Sequence, residues 1–174
     1  LHAQFPTWEA VYHASVESVQ EVISSGGLAP TKARLIKKLL TQLQQDWGSF
    51  DLSHMRVWSD DALQRYLITL PGIGYKAAAC VMAYSFGRDI CPVDTHTYRI
   101  VVRLGLIAHD IPELGARAHA AVQAVLPVGE RRGFHINAIA HGRARCHLLR
   151  PQCEGCPVAV YCIAPEHGRY SRRK

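Results

Sequence analysis

The 174-residue chain has no apolar run approaching the roughly 18 residues that a membrane span needs; residues 77–83 form one of its longest. Nowhere does it sustain the period-two alternation, bounded by turn signals, that marks strands, which argues against a sheet-based fold. It contains no internal repeat and no low-complexity block. Acidic residues are scarce at one end. Residues 131–174 hold 2 Asp/Glu against 9 Lys/Arg, whereas residues 1–130 hold 12 against 11. The net charge of +6 is therefore concentrated around the C-terminal cysteines and the closing Arg169, Arg172, Arg173 and Lys174. Such asymmetry points toward a polyanion, either nucleic acid or an acidic membrane surface, while the last six residues read more simply as a solvated basic tail.

Cysteine is too sparse for a disulfide scaffold. Six cysteines could make three bridges, but that suits small secreted domains better than a chain of this length that is 48% hydrophobic. A reducing compartment fits better. Cys80, in an Ala-rich helical stretch, and Cys91, next to Pro92, read as buried small residues.

What the chain does have is helical periodicity almost throughout. Trp8, Val11, Tyr12, Ser15, Val19, Val22 and Ile23 trace one face, with Thr7 as N-cap and Gly26-Gly27 as the stop. A second helix follows Pro30-Thr31 and closes at Gly48. A third opens at Ser59 with Asp60 and Asp61 in its first turn, where acids complement the helix dipole, and ends at Pro71-Gly72. Further helices are expected from Gly74 to just before Gly87, after Asp94, over about 112–125 and over about 133–145. The fold class is all-α. Beyond 145 the chain has too few large apolar residues to fold alone, so a metal centre is expected to organise it.

Two stretches carry chemistry. Leu70-Pro71-Gly72-Ile73-Gly74-Tyr75-Lys76 lies between two predicted helices. Its glycines allow a tight turn with bare N–H groups, and the next helix N-terminus adds partial positive charge. That suits a nucleic-acid phosphate gripped without reading sequence, although a lone G-x-G is equally a plain helix–turn–helix corner. Lys76 falls in the first turn, where the dipole disfavours its charged form, as burial beside Tyr75 and Ala77 would too. It reads either as an amine nucleophile able to form a Schiff base or as an exposed lysine reaching solvent or a phosphate. Asp94, in Pro92-Val93-Asp94-Thr95-His96, is a helix N-cap and also a candidate carboxylate that stabilises developing positive charge or assists proton transfer. His96 reads as a supporting residue.

The remaining pattern is Cys146-x6-Cys153-x2-Cys156-x5-Cys162. Four thiolates this close bind zinc or an iron–sulfur cluster. Zinc sites usually use two short pairs, and only the central pair is short here, which favours the larger cluster.

In this order, the 70–76 turn, Val93-Asp94-Thr95-His96 and the cysteine pattern resemble the endonuclease III family, DNA glycosylases of the helix-hairpin-helix superfamily that carry a [4Fe-4S] cluster. Residues 27–33 and His141-Gly142-Arg143 extend the likeness, which runs from about residue 4 to Cys162. The resemblance implies a two-lobed helical fold. In it, residues 1–20 belong to the cluster-side lobe or a connecting helix, and 21–110 form a barrel lobe with the helix-hairpin-helix at about 59–86. Residues 111–174 then form the C-terminal lobe with the cluster loop at 146–162. It implies Lys76 and Asp94 as catalytic residues, with Gly72, Ile73, Gly74, Tyr75 and Arg150 on DNA. Cys146, Cys153, Cys156 and Cys162 would hold the [4Fe-4S] cluster. Tyr75 departs from the basic residue common before the lysine.

The implied activity is removal of damaged pyrimidines from double-stranded DNA, followed by strand nicking. The protein would be a cytoplasmic, nucleoid-associated monomer, bacterial or archaeal rather than eukaryotic. The alternatives are a monofunctional mismatch glycosylase, a catalytically impaired DNA-binding fragment and a zinc-stabilised interaction domain. Family members carry N-terminal helices ahead of the point where Leu1 aligns, so the chain is expected to be a fragment.

Overall fold

A computed structural model describes residues 1–113 and 115–164. The closing basic residues from Arg169 onward lie outside the described residues. The α-helices among the described residues are α1 (Trp8–His13), α2 (Val16–Val22), α3 (Ala29–Trp47), α4 (Asp60–Thr69), α5 (Tyr75–Tyr84), α6 (Thr95–Arg103), α7 (Ala116–Val125) and α8 (Arg131–Ala144). Short 3-10 turns occur at Ser24–Gly26, Ser53–Val57 and Ala159–Tyr161. No strand occurs among the described residues, in agreement with the all-α expectation. No helix among them is long and apolar enough to cross a membrane.

The helix ends follow local chemistry. Thr7 accepts a hydrogen bond from the Ala10 N–H at 3.1 Å, and Ser59 accepts one from Ala62 at 3.2 Å. Gly48, at φ +64°, closes α3 in the left-handed conformation. Helix α3 begins at Ala29, ahead of Pro30-Thr31, and α8 at Arg131, two residues early; two further differences have a local cause. The single helix expected over 8–23 is broken: Ala14 is extended, and the Ser15 side chain accepts from Ser18 N at 3.1 Å to start α2. A serine placed mid-face competes with the helix for backbone N–H groups. The helix expected from about 112 begins at Ala116, because Gly115 adopts φ +110° and cannot lie within a helix.

The chain divides into two compact units, residues 1–73 and 74–174. In the first, α1 and α2 pack on α3 around Val11, Val19, Ala33 and Leu40. Lys37 serves this packing with its charge: Nζ donates to the carbonyls of Val11 at 3.2 Å, Tyr12, and Ala14 at 2.6 Å. These include carbonyls at the α1 C-terminus that have no intrahelical partner.

In the second unit the core is built from Cys91, Val93, Tyr98, Val101, Val102, Ile107, Ala118, Val122 and Leu126. Helix α6 is its axis, buried from Thr97 through Arg103. A helix without a solvent face must find partners for every polar group it carries. It packs on α8, where Gly142 lies against His96. A Cβ there would stand 2.5 Å from His96 Nδ1 and 3.0 Å from His96 Cβ and Cγ.

Gly142→Ala sets helix propensity, worth up to about 1 kcal/mol in favour of alanine, against overpacking, worth about 1–3 kcal/mol against it. The clash involves the root of the His96 side chain rather than a flexible tip, so overpacking should win. The expected result is a lower urea midpoint with an unchanged m-value.

Candidate active site

Leu70-Pro71-Gly72-Ile73 forms a turn closed by the Ile73 N–H on the Leu70 carbonyl at 3.1 Å. Proline followed by glycine at φ +79° is the signature of a type II turn. Gly72 packs against Leu35, to whose methyls a Cβ would come within 3.2 Å. Gly72 is exposed and Ile73 half-buried. Gly74 then caps α5 without a side-chain hydrogen bond, which leaves the first N–H groups of that helix available. Tyr75 lies with its ring tilted over His119, centroids 6.0 Å apart.

Lys76 occupies the first turn of α5 and is exposed. Of the two readings of Lys76, the structure has the exposed one, because α5 buries Ala78, Ala79, Met82 and Ala83 and position 76 lies off that face.

Asp94 is half-buried and caps α6, its Oδ1 accepting from the Thr97 N–H at 2.7 Å. Burial acts to raise its pKa. The Thr97 N–H, the Thr97 hydroxyl and the imidazoles of His135 and His96 outweigh burial and hold the carboxyl below the usual range. The segment leading to Asp94 is laced to α7. Gln123 accepts from Cys91 N–H and donates to Cys91 carbonyl, both at 2.8 Å. Val93 N–H donates to His119 Nε2 at 3.1 Å, and His119 Nδ1 lies 3.0 Å from the Gly115 carbonyl. These two partners together define the neutral tautomer with its proton on Nδ1. His135 feels both Asp94 and Lys76, so those two groups lie within electrostatic reach of one imidazole.

All six cysteines are free thiols, with Cys91 buried as expected and Cys80 only half-buried. Arg145 bonds at its carbonyl to Gln152 N–H at 2.9 Å, closing the loop that carries exposed Arg150. Two arginines of α6 hold the segment. Arg99 donates to the Cys146 carbonyl at 2.8 Å and the Gly142 carbonyl at 3.3 Å. Arg103 donates to Cys146 Sγ at 3.0 Å, His147 carbonyl at 2.8 Å and Leu148 carbonyl at 2.9 Å. The Arg103 carbonyl in turn accepts from Cys162 Sγ at 3.3 Å and Ile163 N–H at 2.9 Å.

A four-sulfur donor set beside a buried guanidinium that already hydrogen-bonds one sulfur fits a thiolate-held cluster in its chemistry. Among the described residues, however, no three Cys, His, Asp or Glu side chains converge as a ready metal-binding group. Sequence reasoning missed Thr97, His119, Gln123, His135, Arg99 and Arg103. No spacing signal marks them, apart from Thr97 three residues beyond its N-cap.

A family profile described as HhH-GPD superfamily base excision DNA repair protein matches residues 1–122. Endonuclease III of Rickettsia conorii is 30% identical over 162 residues, covering 93% of this chain and 71% of that protein. DNA glycosylase/AP lyase ROS1 of Arabidopsis thaliana is 30% identical over 171 residues, covering 89% of this chain and 12% of that protein. The chain spans only 57% of another Arabidopsis thaliana relative, and 9% of two rice relatives. A solved endonuclease III–DNA complex, a trapped covalent intermediate, superimposes with TM-score 0.76 at 29% identity, covering 92% of this chain and 70% of that one.

Burial lowers the pKa of His119 and of His135. Unfolded imidazoles titrate near ~6.5. As pH falls the unfolded chain therefore binds protons first, so this stability is complete above about pH 6.5 and is lost below it. The urea midpoint is expected to stay flat between about pH 7 and 8 and to drop by about pH 5. A His119→Gln variant should show a shallower drop.

Proposed function

The chain belongs to the HhH-GPD superfamily of base excision DNA repair proteins, and from that premise we propose that it removes damaged pyrimidines from double-stranded DNA and nicks the strand at the resulting site. The observation that carries this reading is Asp94, a half-buried capping carboxylate at the N-terminus of α6 whose pKa is held below the usual range, with Lys76 and Asp94 both acting on the imidazole of His135. An exposed amine is accessible to a sugar carbon, which supports Lys76 as the nucleophile.

The lesion is flipped from the stack. Lys76 Nζ, as the free amine, attacks C1′ while the bond from C1′ to the base breaks and the base departs with its electron pair and a proton. Asp94 stabilises the positive charge developing on the sugar. Ring opening gives a Schiff base, loss of a C2′ proton expels the 3′ phosphate by β-elimination, and water then releases Lys76. Gly72, Ile73, Gly74 and Tyr75 meet the DNA backbone through main-chain groups.

Cys146, Cys153, Cys156 and Cys162 would hold a [4Fe-4S] cluster, which when bound supplies a cross-link that fixes the loop carrying Arg150 to the basic phosphate-facing side. Arg99 and Arg103 support that loop from α6. Six free thiols suit a reducing cytoplasmic compartment, and the protein acts on DNA as a monomer.

Borohydride trapping on abasic-site DNA tests the lysine. The chain should form a covalent adduct and Lys76→Ala should form none; an equal adduct from the variant sinks the assignment. Base release without nicking by the unmutated chain would instead identify a monofunctional glycosylase. Asp94→Asn should slow base release by about 10²–10⁴-fold. Arg150→Ala should weaken DNA binding and flatten its salt dependence while the brown colour of the cluster persists. Loss of colour would make Arg150 structural.

A further inference from the structure

His119 of α7 is 4% exposed and has no part in the steps assigned above. Both of its ring nitrogens are engaged by main-chain groups whose roles are fixed. The Val93 N–H can only donate, so Nε2 accepts from it at 3.1 Å. The Gly115 carbonyl can only accept, so Nδ1 carries the proton that faces it at 3.0 Å. The same ring meets Tyr75, with centroids 6.0 Å apart and planes at 37°, within the range of aromatic pairs. Tyr75 opens α5 immediately before Lys76, and Val93 immediately precedes Asp94. One buried imidazole therefore touches the chain neighbour of the candidate nucleophile and the chain neighbour of the candidate carboxylate.

The surroundings leave this ring little freedom. Gly115 starts α7, and the His119 main-chain N–H also returns to its carbonyl, at 3.2 Å. One turn further along, Gln123 holds the N–H and the carbonyl of Cys91, both at 2.8 Å. Positions 119 and 123 share a helix face, so α7 grips the segment before Asp94 at two points. Only the nearer of these, His119, also carries the ring contact to α5.

Resting on the reading of Lys76 and Asp94 as the catalytic pair, we propose that His119 is a positioning residue that sets the start of α5 against the N-cap of α6. Its Nε2 fixes Val93, its ring seats Tyr75, and the spacing between amine and carboxylate follows from both. Lys76 is exposed, so the direction of its amine depends on where the first turn of α5 is held. A misplacement of about 1 Å between reacting groups can cost roughly 10²-fold in rate.

Three replacements separate the two contacts. His119→Phe keeps a ring for Tyr75 but offers the Val93 N–H no acceptor. His119→Gln keeps an oxygen near the position of Nε2 but loses the ring. His119→Leu loses both. Gln123→Leu is the comparison, because it loosens the same segment two residues farther from Asp94. Each is made in the full chain, with folding checked by circular dichroism and melting. Single-turnover nicking of abasic-site DNA gives the rate, and binding of the same DNA with its sugar reduced gives Kd. Hydrogen exchange of the Thr97 N–H, which donates to Asp94 Oδ1 at 2.7 Å, reports the cap without any activity.

His119→Leu should slow nicking at saturating DNA by about 10²-fold, with Kd unchanged. The phenylalanine and glutamine variants should each fall between it and the unmutated chain. Thr97 exchange should quicken in His119→Phe and stay slow in His119→Gln. Gln123→Leu should melt lower yet nick faster than His119→Leu. A folded His119→Leu that nicks at the unmutated rate overturns the proposal, as does a rate loss matched by an equal loss of binding, or an equal slowing in Gln123→Leu. Should the variants at 119 fail to fold, NMR of the unmutated chain decides. A scalar coupling across the Val93 N–H to Nε2 bond, together with Overhauser contacts between the Tyr75 and His119 rings, supports the assignment; absence of either overturns it. If the unmutated chain neither nicks nor traps, the functional reading falls, while Thr97 exchange and the ring contacts still decide whether His119 holds the two segments.

Discussion

Arg99 and Arg103 bring permanent positive charge into the interior of the second unit, at 6% and 7% exposure, and much around them follows from that. A buried charge left unpaired costs several kcal/mol, so each guanidinium N–H must meet an acceptor. The acceptors are main-chain carbonyls at Thr95, Gly142, Cys146, His147 and Leu148, together with His96 Nδ1 and Cys146 Sγ. The last turn of α8 and the start of the cysteine segment are thereby held against α6. The same helix begins at Asp94. One rigid element thus carries the candidate catalytic carboxylate at its N-terminus and the anchor of the cysteine segment at its C-terminus.

That arrangement separates two tasks. The cysteine segment is loop-rich and largely exposed, with Leu149, Val160 and Tyr161 facing solvent, so side-chain packing contributes little to its order. Its order comes from hydrogen bonds to α6 and, when present, from a metal centre. The candidate catalytic residues Lys76 and Asp94 lie instead in the first turn of α5 and at the N-cap of α6. There the Cys91–Asp94 segment has no neighbouring strand among the described residues, and Cys91 N–H and carbonyl and Val93 N–H are met by Gln123 and His119 instead. Tyr75, whose ring lies over His119, takes up packing where a basic residue would have reached outward.

Several features were legible from residue types at short range. Thr7, Ser59 and Asp94 are N-caps because a side-chain oxygen three residues before a free N–H can satisfy it whatever the rest of the chain does. Gly48 and Gly72 mark left-handed positions that other residues avoid. Ser15 was readable by the same rule, but the continuous apolar face over 8–23 concealed it. Lys76 shows where such short-range reading stops. Its position in the helix was right, while its burial depended on which face α5 turns inward, and apolar sequence neighbours do not decide that.

The sequence by itself determined the helices, their caps, the order of the candidate lysine, carboxylate and four cysteines, and membership of a repair superfamily. All of these rest on interactions within a few residues or on spacing along the chain. Only the tertiary structure decided that Thr97 meets His135, that His119 supports Val93, and that Arg103 grips Cys146. These partners lie 38, 26 and 43 positions apart. The lowered pKa of Asp94 follows from burial set against the Thr97 N–H and hydroxyl and the imidazoles of His135 and His96. That balance exists only once the helices have packed, because an extended chain leaves every one of these groups in water.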